Sequence, residues 1–262
     1  MVTLVANMLF TIKGEDDWVL FQAAINSIKN VVDRIVLLDT SPTDDLLNAK
    51  RLGEFLQSIE CMVDYRHDAL ILQDGFSAAR NDLLSRSPEE CFILWQDSDE
   101  VMFPEGLQQI KDLLSTQEGT ANEIDNVATH FIHFCLGSNR YERFEPRVNI
   151  FRRKGTHWEQ KVHERLVFEG PRKIFYSDYH YHHYGYVRDQ EYVFERWFQY
   201  ALLEGQIQPY VNEEVDGKTV PYFRDGRENA SKILEDRRAT LIPFFGIYPE
   251  AIPMSWIQSK LI

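Results

Sequence analysis

The sequence predicts an α/β fold with a mostly parallel central sheet and helices on both faces. Its first hundred residues alternate between strand-like and helical patterns, the order from which parallel sheets with covering helices are built. The run RIVLLD, Arg34 to Asp39, is almost continuously apolar, as in strands covered on both faces. A chain of 262 residues with 44% hydrophobic residues suits one large domain, or one domain with an appendage.

Four strands and three helices are predicted in this first part. In chain order they are strand Leu4 to Ile12, helix Asp16 to Lys29, strand Arg34 to Asp39, helix Leu46 to Ile59, strand Cys61 to Tyr65, helix Gly75 to Ser85 and strand Cys91 to Trp95. The first helix has apolar residues at helical spacing on one face, which indicates that this face packs on the sheet.

The pattern changes after about residue 125. Val127 to Leu136 and Arg147 to Arg153 are predicted strands, joined by the polar stretch GSNRYERFEP. Residues 157–186 are dense in aromatic residues and histidines. Helical spacing returns at Arg188 to Glu204 and again at Arg227 to Leu241. A regular α/β half is thus followed by an irregular, aromatic-rich half.

The charge balance bears on the class of ligand. The formal net charge is −13, so no global positive field attracts nucleic acid, and we expect no nucleic-acid partner. An acidic protein that binds an anionic ligand needs a local device, either a metal ion or a few well-placed arginines.

The cysteines and the apolar runs indicate the compartment. Cys61, Cys91 and Cys135 each lie in or beside an apolar run, which favours buried thiols in a reducing compartment. The N-terminal run resembles a first strand and not a signal peptide, and no apolar stretch reaches membrane-spanning length. We therefore expect a cytoplasmic protein, with peripheral association at the inner face of the membrane left open.

Polar residues follow three of the predicted strands, where ligands bind in open α/β sheets. The sharpest group is Asp97-Ser98-Asp99, whose two carboxylates point the same way if the segment is extended. Carboxylates that close are costly unless a cation neutralises them, and Mg²⁺ or Mn²⁺ suits oxygen ligands. Glu100, on the alternate face, is expected to anchor the loop. A solvated turn remains the alternative, because this tripeptide is common.

The sequence lacks the motifs of several common enzyme and nucleotide-binding classes. It contains no GxGxxG after the first strand, no GxxxxGK[ST] loop and no GxSxG elbow. A sugar nucleotidyltransferase typically has a glycine-rich segment after the first strand, whereas this chain has TIKGEDD. These observations argue against a dinucleotide-binding domain, a P-loop, a hydrolase of the nucleophile-elbow type and a nucleotidyltransferase.

Five segments occur in this order along the chain: VDRIVLLDTSPTDD, DGFSAARNDLL, ILWQDSDEVM, RVNIFRRKGTHWEQKVHERL and HHYGY. Together they resemble the family 2 glycosyltransferases, with the bacterial branch that glycosylates lipopolysaccharide cores or peptides as the nearest type. The resemblance covers about residues 3 to 200 and implies a GT-A fold and sugar transfer from a nucleotide-activated donor, with inversion. Gly14 and Pro42 depart from the family pattern, which has Asn and Gly at these places.

The resemblance also implies roles for the residues of the donor side. Asp39 would recognise the nucleotide base, and Thr11 and Glu15 would line the same pocket. Arg80 would contact phosphate or brace the loop of the DxD motif, which is Asp97-Ser98-Asp99 in this chain. Asp97 would face the ribose and the metal ion, Mn²⁺ or Mg²⁺, and Asp99 would bind that metal. A further histidine, His183, would be a metal ligand or a contact to the diphosphate.

On the acceptor side, Glu164 matches the glutamate of the family's H-E pair and is the candidate catalytic base. His163 is the second candidate for that role, or a contact to the donor phosphates. A structural ion pair between Glu164 and a neighbouring Arg or Lys is an equally weighted alternative. His180, His182 and His183 do not converge in a strand, which argues against a zinc site. Trp158, Tyr184 and Tyr186 are candidates for stacking on sugars, or for the core.

The predicted organisation is a glycosyltransferase domain at residues 1–205 and a C-terminal helical extension at residues 206–262. Within the domain, residues 1–105 form the nucleotide-binding half and residues 106–205 the acceptor half. The expected partners are a nucleotide-sugar donor, UDP-hexose in the first place, and a glycan, lipid-linked or peptide acceptor. A non-catalytic module that binds sugar nucleotide or glycan with a degenerate site remains a competing interpretation.

Overall fold

The computed structural model describes residues 1–42, 46–135, 140–143, 146–188, 192, 212–215, 218–221 and 241–261. The first part contains four strands and three α-helices, with a 3-10 helix, Ile71–Asp74, before the third. They are β1 Leu4–Phe10, α1 Glu15–Ile28, β2 Arg34–Asp39, α2 Leu46–Gln57, β3 Met62–His67, α3 Phe76–Ser85 and β4 Phe92–Asp97. All seven predicted elements form, with bounds that differ by one to two residues at most ends.

The rest of the described chain is richer in strands. In order it contains β5 Glu100–Val101, α4 Pro104–Gln117, β6 Asn126–Cys135, β7 Arg140–Arg143, β8 Arg147–Arg152, β9 Thr156–Glu159, β10 Arg165–Phe168, β11 Ile174–Tyr186, β12 Asn212–Val215, β13 Lys218–Pro221, β14 Ile242–Pro243 and α5 Met254–Ser259. The polar stretch expected to be a plain connection contains β7, because its residues pair antiparallel with β6.

The main sheet confirms the predicted fold class. Strands β3, β2, β1 and β4 lie side by side and all pairs are parallel. The sheet continues through β8, which is antiparallel to β4, to β6, and β11 pairs parallel with β6 over most of its length. The chain therefore has a mixed α/β architecture with a mostly parallel central sheet.

Two hydrophobic layers cover this sheet. The side chains of β1 alternate between them: Leu4, Met8 and Phe10 pack with α1 and α4, and Val5 and Leu9 pack with α3. Helices on both faces of a parallel sheet explain why RIVLLD is apolar throughout. The prediction of helices on both faces is confirmed.

A third buried cluster holds the C-terminal segment against the domain. Trp256 and Ile257 of α5 pack with Leu20 and Ala23 of α1 and with the stacked rings of Phe134 and Tyr184. The two predicted helices after residue 187 and the boundary at 205/206 lie outside the described residues, apart from Arg188 and Tyr192.

The cysteine environments agree in part with the expectation. Cys91 and Cys135 are buried, whereas Cys61 is partly exposed, and none of the three is in a disulfide within the described residues. In the described part of the chain, no helix combines the length and the apolar character needed to cross a membrane.

Candidate active site

A cavity of about 210 Å³ lies at the carboxyl ends of β1 and β4. Six of the nine predicted site residues line it: Thr11, Arg80, Asp97, Asp99, His163 and Glu164. The strand register explains part of this convergence, because Leu9 of β1 pairs with Asp97 of β4. Parallel strands end at a common edge, and the loops beyond that edge enclose the cavity.

Gly75 brings the Glu164 segment against α3. Its φ of +98° lies in the region that favours glycine, and a Cβ there would sit 2.6 Å from the Cα of Lys161. Phe76 donates its backbone N–H to the carbonyl of Lys161 at 2.7 Å. Since Arg80 follows one turn later on α3, this close approach places its guanidinium beside Glu164.

Arg80 joins two of the predicted site residues. Its Nη2 donates to Oδ1 of Asp97, and its Nε donates to Oε1 of Glu164 at 3.2 Å. The guanidinium carbon lies 5.1 Å from the ring centre of Trp95, and Trp158 completes the packing on the same side. Arg80 thus joins the end of β4 to the Glu164 segment, and an ion pair at Glu164, which the sequence left as an alternative, is present.

The charges around Asp97 determine its ionisation. Burial alone would raise the pKa of this carboxyl, but the guanidiniums of Arg80 and Arg147 outweigh the burial and lower the pKa. Asp97 is therefore ionised at neutral pH.

The loop after β4 differs from the extended segment that the sequence suggested. Ser98 and Asp99 form a turn, and Glu100 follows as the first residue of β5. The two aspartates still share the cavity, because the turn returns Asp99 toward it. The two aspartates therefore come together through a turn and not through the alternation of an extended strand.

Glu100 anchors this turn, as expected. Its side chain is 0% exposed, its Oε2 accepts the backbone N–H of Asp97 at 3.0 Å, and its Oε1 accepts from Nη2 of Arg147. Burial raises the pKa of Glu100, and the adjacent Arg147 opposes that rise. Arg147 lies 4.3 Å above the ring of Trp95, so one face of its guanidinium is packed on an aromatic surface.

His183 lies beside Asp99, because β11 pairs antiparallel with β5 and sets His183 opposite Glu100. Its Nε2 is 3.3 Å from Oδ1 of Asp99, and its Nδ1 is 2.5 Å from Nδ1 of His133. His182 points to the other face, where burial, with a contribution from His180, lowers its pKa to about 3. The three clustered histidines do not converge, as the sequence predicted.

The ligand atoms near the cavity can be compared with those that the expected divalent metal ion needs. Among the described residues, no group of three or more His, Cys, Asp or Glu side chains is arranged to hold a metal. Asp99 and His183 nevertheless offer an oxygen and a nitrogen 3.3 Å apart, next to the cavity. An oxygen and a nitrogen at this spacing are ligand types that Mn²⁺ accepts, but two side chains would supply only part of a metal shell.

The remaining predicted residues fall at different distances from the cavity. Thr11 shares a 2.6 Å hydrogen bond with Thr40. Asp39 is buried at the end of β2 and accepts from the hydroxyl of Tyr65 at 2.9 Å, without lining the cavity. Glu15 is exposed and forms a bidentate pair with Arg51, with its two contacts at 2.6 and 2.9 Å. Neither acid reaches the cavity in this conformation.

Two of the aromatic candidates belong to the core. Trp158 packs edge-on against Trp95 at 4.5 Å, and Tyr184 stacks on Phe134 at 4.9 Å. Both are buried. Tyr186 is partly buried, with its ring centre 4.9 Å from that of His133.

Sequence reasoning missed several residues that contribute to the site. Asp17, Arg188 and Tyr192 line the cavity, as does Lys13, which was noted only as a polar residue after the first strand, and Arg147 supports the Asp97 turn through Glu100. Arg147 begins one of the matched segments and Arg188 follows another, so position in those segments was the available signal. A lone arginine in a polar context is more often a surface residue.

Searches against protein-family models and curated proteins found no match for this chain. Among solved structures, the chain is similar at 12% identity to three structures of S. aureus TarS, a glycosyltransferase. For TarS 1-349 the TM-score is 0.44, covering 77% of this chain and 65% of that chain. For TarS 1-349 in complex with UDP the TM-score is 0.46, with 90% and 70% covered, and for TarS it is 0.42, with 90% and 43% covered. Similarity at this level identifies neither the family nor the activity of this chain.

Proposed function

We propose that the chain is an inverting glycosyltransferase that moves a sugar from a nucleoside-diphosphate sugar, UDP-hexose in the first place, to a hydroxyl of a glycan, lipopolysaccharide or peptide acceptor. The contact that carries the proposal is the double ion pair of Arg80. It joins Asp97, of the DxD-like segment, to Glu164, of the H-E-like segment. Three segments that resemble one family in sequence are therefore adjacent at one cavity.

In this mechanism Glu164 removes the proton from the acceptor hydroxyl. The acceptor oxygen then attacks the anomeric carbon, and the bond from that carbon to the diphosphate oxygen breaks. Arg80 holds the Glu164 carboxylate and Asp97 in fixed positions, so both groups are oriented before substrate binds. His163, which also lines the cavity, is the second candidate for the base.

Asp99 and His183, with Asp97 behind them, are the residues that would hold the metal ion. A bound Mn²⁺ or Mg²⁺ supplies positive charge that offsets the charge on the departing diphosphate. Thr11 contributes a hydroxyl to the nucleotide pocket. Asp39 and Glu15 take part in base recognition only if their pairs with Tyr65 and Arg51 rearrange on binding.

A second candidate is a non-catalytic module that binds sugar nucleotide. The observation in its favour is that Glu164, the proposed base, already accepts a hydrogen bond from Arg80. In such a module donor binding persists while hydrolysis and transfer do not occur.

A donor screen tests the proposed function. The protein is incubated with UDP-, GDP- and dTDP-sugars, with and without Mn²⁺, and scored for donor hydrolysis and for a shift in Tm. We expect one donor class to respond only with Mn²⁺, and Asp99→Ala to lose at least about tenfold of that response, since a metal ligand is removed. Asp112→Ala, at an exposed acid on α4, is the matched control.

The outcomes separate the two candidates. Binding without hydrolysis of any donor would favour the module. No response to any donor, with Asp99→Ala behaving like the unaltered protein, would overturn the nucleotide-sugar assignment altogether.

A further inference from the structure

The loop between β1 and α1 forms a second part of the cavity wall together with the residues after β11. Lys13 and Asp17 come from the loop and the first turn of α1, and Arg188 and Tyr192 come from the later segment. Of these four residues, only Lys13 was noted from the sequence, as a polar residue after the first strand. Two of them are cations, in a cavity whose other arginine, Arg80, already faces two carboxylates.

Arg188 is a buried guanidinium with unused donors. It is 5% exposed, and its Nη2 donates to Oδ1 of Asp17 at 2.8 Å. Its Nε and Nη1 are buried and have no hydrogen-bond partner among the described residues. Buried donors of this kind are normally satisfied, because leaving one unpaired destabilises the folded protein. Since Arg188 lines the cavity, an anionic ligand within the cavity is the natural acceptor.

Asp17 positions the Arg188 guanidinium, and a second positive charge, that of Lys13, lies on the same side of the cavity. Its Oδ1 accepts from Arg188 and, at 3.4 Å, from the hydroxyl of Tyr192, and its Oδ2 accepts the backbone N–H of Lys13 at 2.9 Å. The Lys13 side chain is exposed beside them. Asp17 thus fixes the position of the Arg188 guanidinium, and Lys13 contributes a second cation to the same cavity wall.

The start of α1 adds to the attraction for anions. Gly14 caps this 14-residue helix without a side-chain hydrogen bond. The other two acids of the first turn are already paired with cations, Glu15 with Arg51 and Asp16 with Lys260 at 2.6 Å. The first amides of a helix and the helix dipole favour a negative group near this end.

We propose that Arg188, together with Lys13 near the start of α1, forms the anion-binding wall of the cavity. These two side chains bind the diphosphate of the nucleoside-diphosphate sugar. The identity of the ligand rests on the proposed function, while the anion site rests on the buried donors of Arg188. Arg80 holds Asp97 and Glu164 with two of its nitrogens, and among the described residues only its Nη1 has no partner, so it offers fewer donors to a ligand than Arg188 does.

Calorimetric titration of the full chain with inorganic pyrophosphate, UDP and uridine, with and without Mn²⁺, tests this assignment. Arg188→Gln is expected to weaken pyrophosphate and UDP binding by roughly 10- to 100-fold, as for a charge-assisted hydrogen bond, and to leave uridine unchanged. Lys13→Gln, at an exposed position, is expected to weaken them by roughly two- to fivefold. Lys154→Gln, at an exposed lysine paired with Glu90, is the control.

Arg188→Lys guards against a folding defect, since it keeps the charge beside Asp17 and loses the forked donors. It is expected to bind pyrophosphate less tightly than the unaltered protein and to unfold at a similar temperature.

Unchanged pyrophosphate and UDP affinities in Arg188→Gln, Arg188→Lys and Lys13→Gln would overturn the anion wall, even if the donor screen succeeds. Arg188-dependent pyrophosphate binding in a protein that accepts no sugar donor would keep the anion wall and reject the proposed function. Absence of pyrophosphate binding in the unaltered protein under both conditions would overturn the anion wall.

Discussion

Replacing Arg147 with methionine is expected to lower the free energy of unfolding by about 3 to 5 kcal/mol at neutral pH. The substitution leaves Glu100, which is 0% exposed, without the cation that faces its Oε1. It also removes the guanidinium that packs 4.3 Å from the ring of Trp95. Urea unfolding at pH 7.5, followed by tryptophan fluorescence and by circular dichroism, measures the loss.

The deficit of Arg147→Met should shrink as the pH is lowered. Burial already raises the pKa of Glu100, and losing Arg147 raises that pKa further. Protonation below this folded-state pKa removes the uncompensated charge, so the stability difference from the unaltered protein falls with falling pH. A deficit that is the same at pH 5 and pH 7.5 would contradict this explanation.

A double variant isolates the buried charge. Glu100→Gln keeps an oxygen that can accept the N–H of Asp97, so Arg147→Met with Glu100→Gln removes both charges and keeps the anchor of the turn. We expect it to regain most of the stability, because replacing a complete buried ion pair is often near neutral. Arg172→Met, at a partly exposed arginine paired with Asp125, controls for loss of an arginine in general.

The strand pattern and the ordered motifs account for the parts of the fold that could be predicted. RIVLLD forms a fully paired strand because its period and composition suit a site covered on both faces, and the local sequence carries that information. In β11 the pattern is obscured, because polar and aromatic residues alternate with histidines, of which His183 contacts His133 of β6 and Asp99. Helix α4 was not predicted, although Pro104 at its start is typical of a helix N-terminus.

Within the site, the residue types were predictable and their partners were not. Asp97, Asp99 and Glu100 belong to one short segment, yet Arg147, the partner of Glu100, is 47 residues away, and Glu164 is 84 residues from Arg80. Such pairings are set by tertiary packing. The requirement for glycine at position 75 likewise comes from Lys161, which no local pattern reveals.

Glu164→Gln is expected to reduce sugar transfer by about 10²- to 10⁴-fold while donor affinity stays within about twofold, as for loss of a general base. The amide keeps an oxygen that can accept from Nε of Arg80, so the brace between α3 and the Asp97 loop is retained. What the substitution removes is the carboxylate that takes the proton of the acceptor hydroxyl. Transfer is measured with the donor found in the screen, and affinity by titration with the corresponding nucleoside diphosphate.

Comparing the loss of sugar transfer with the loss of donor affinity distinguishes a catalytic base from a positioning residue. Arg80→Lys weakens the ion pairs to both Asp97 and Glu164, so it should lower donor affinity and transfer together, since the Asp97 loop is no longer held. Glu159→Gln, at an exposed glutamate on β9, should change neither quantity. If Glu164→Gln lowers donor affinity as much as Arg80→Lys does, Glu164 acts through Arg80 and is a positioning residue. If transfer survives the substitution, the base lies elsewhere, and His163→Gln becomes the variant that must abolish transfer.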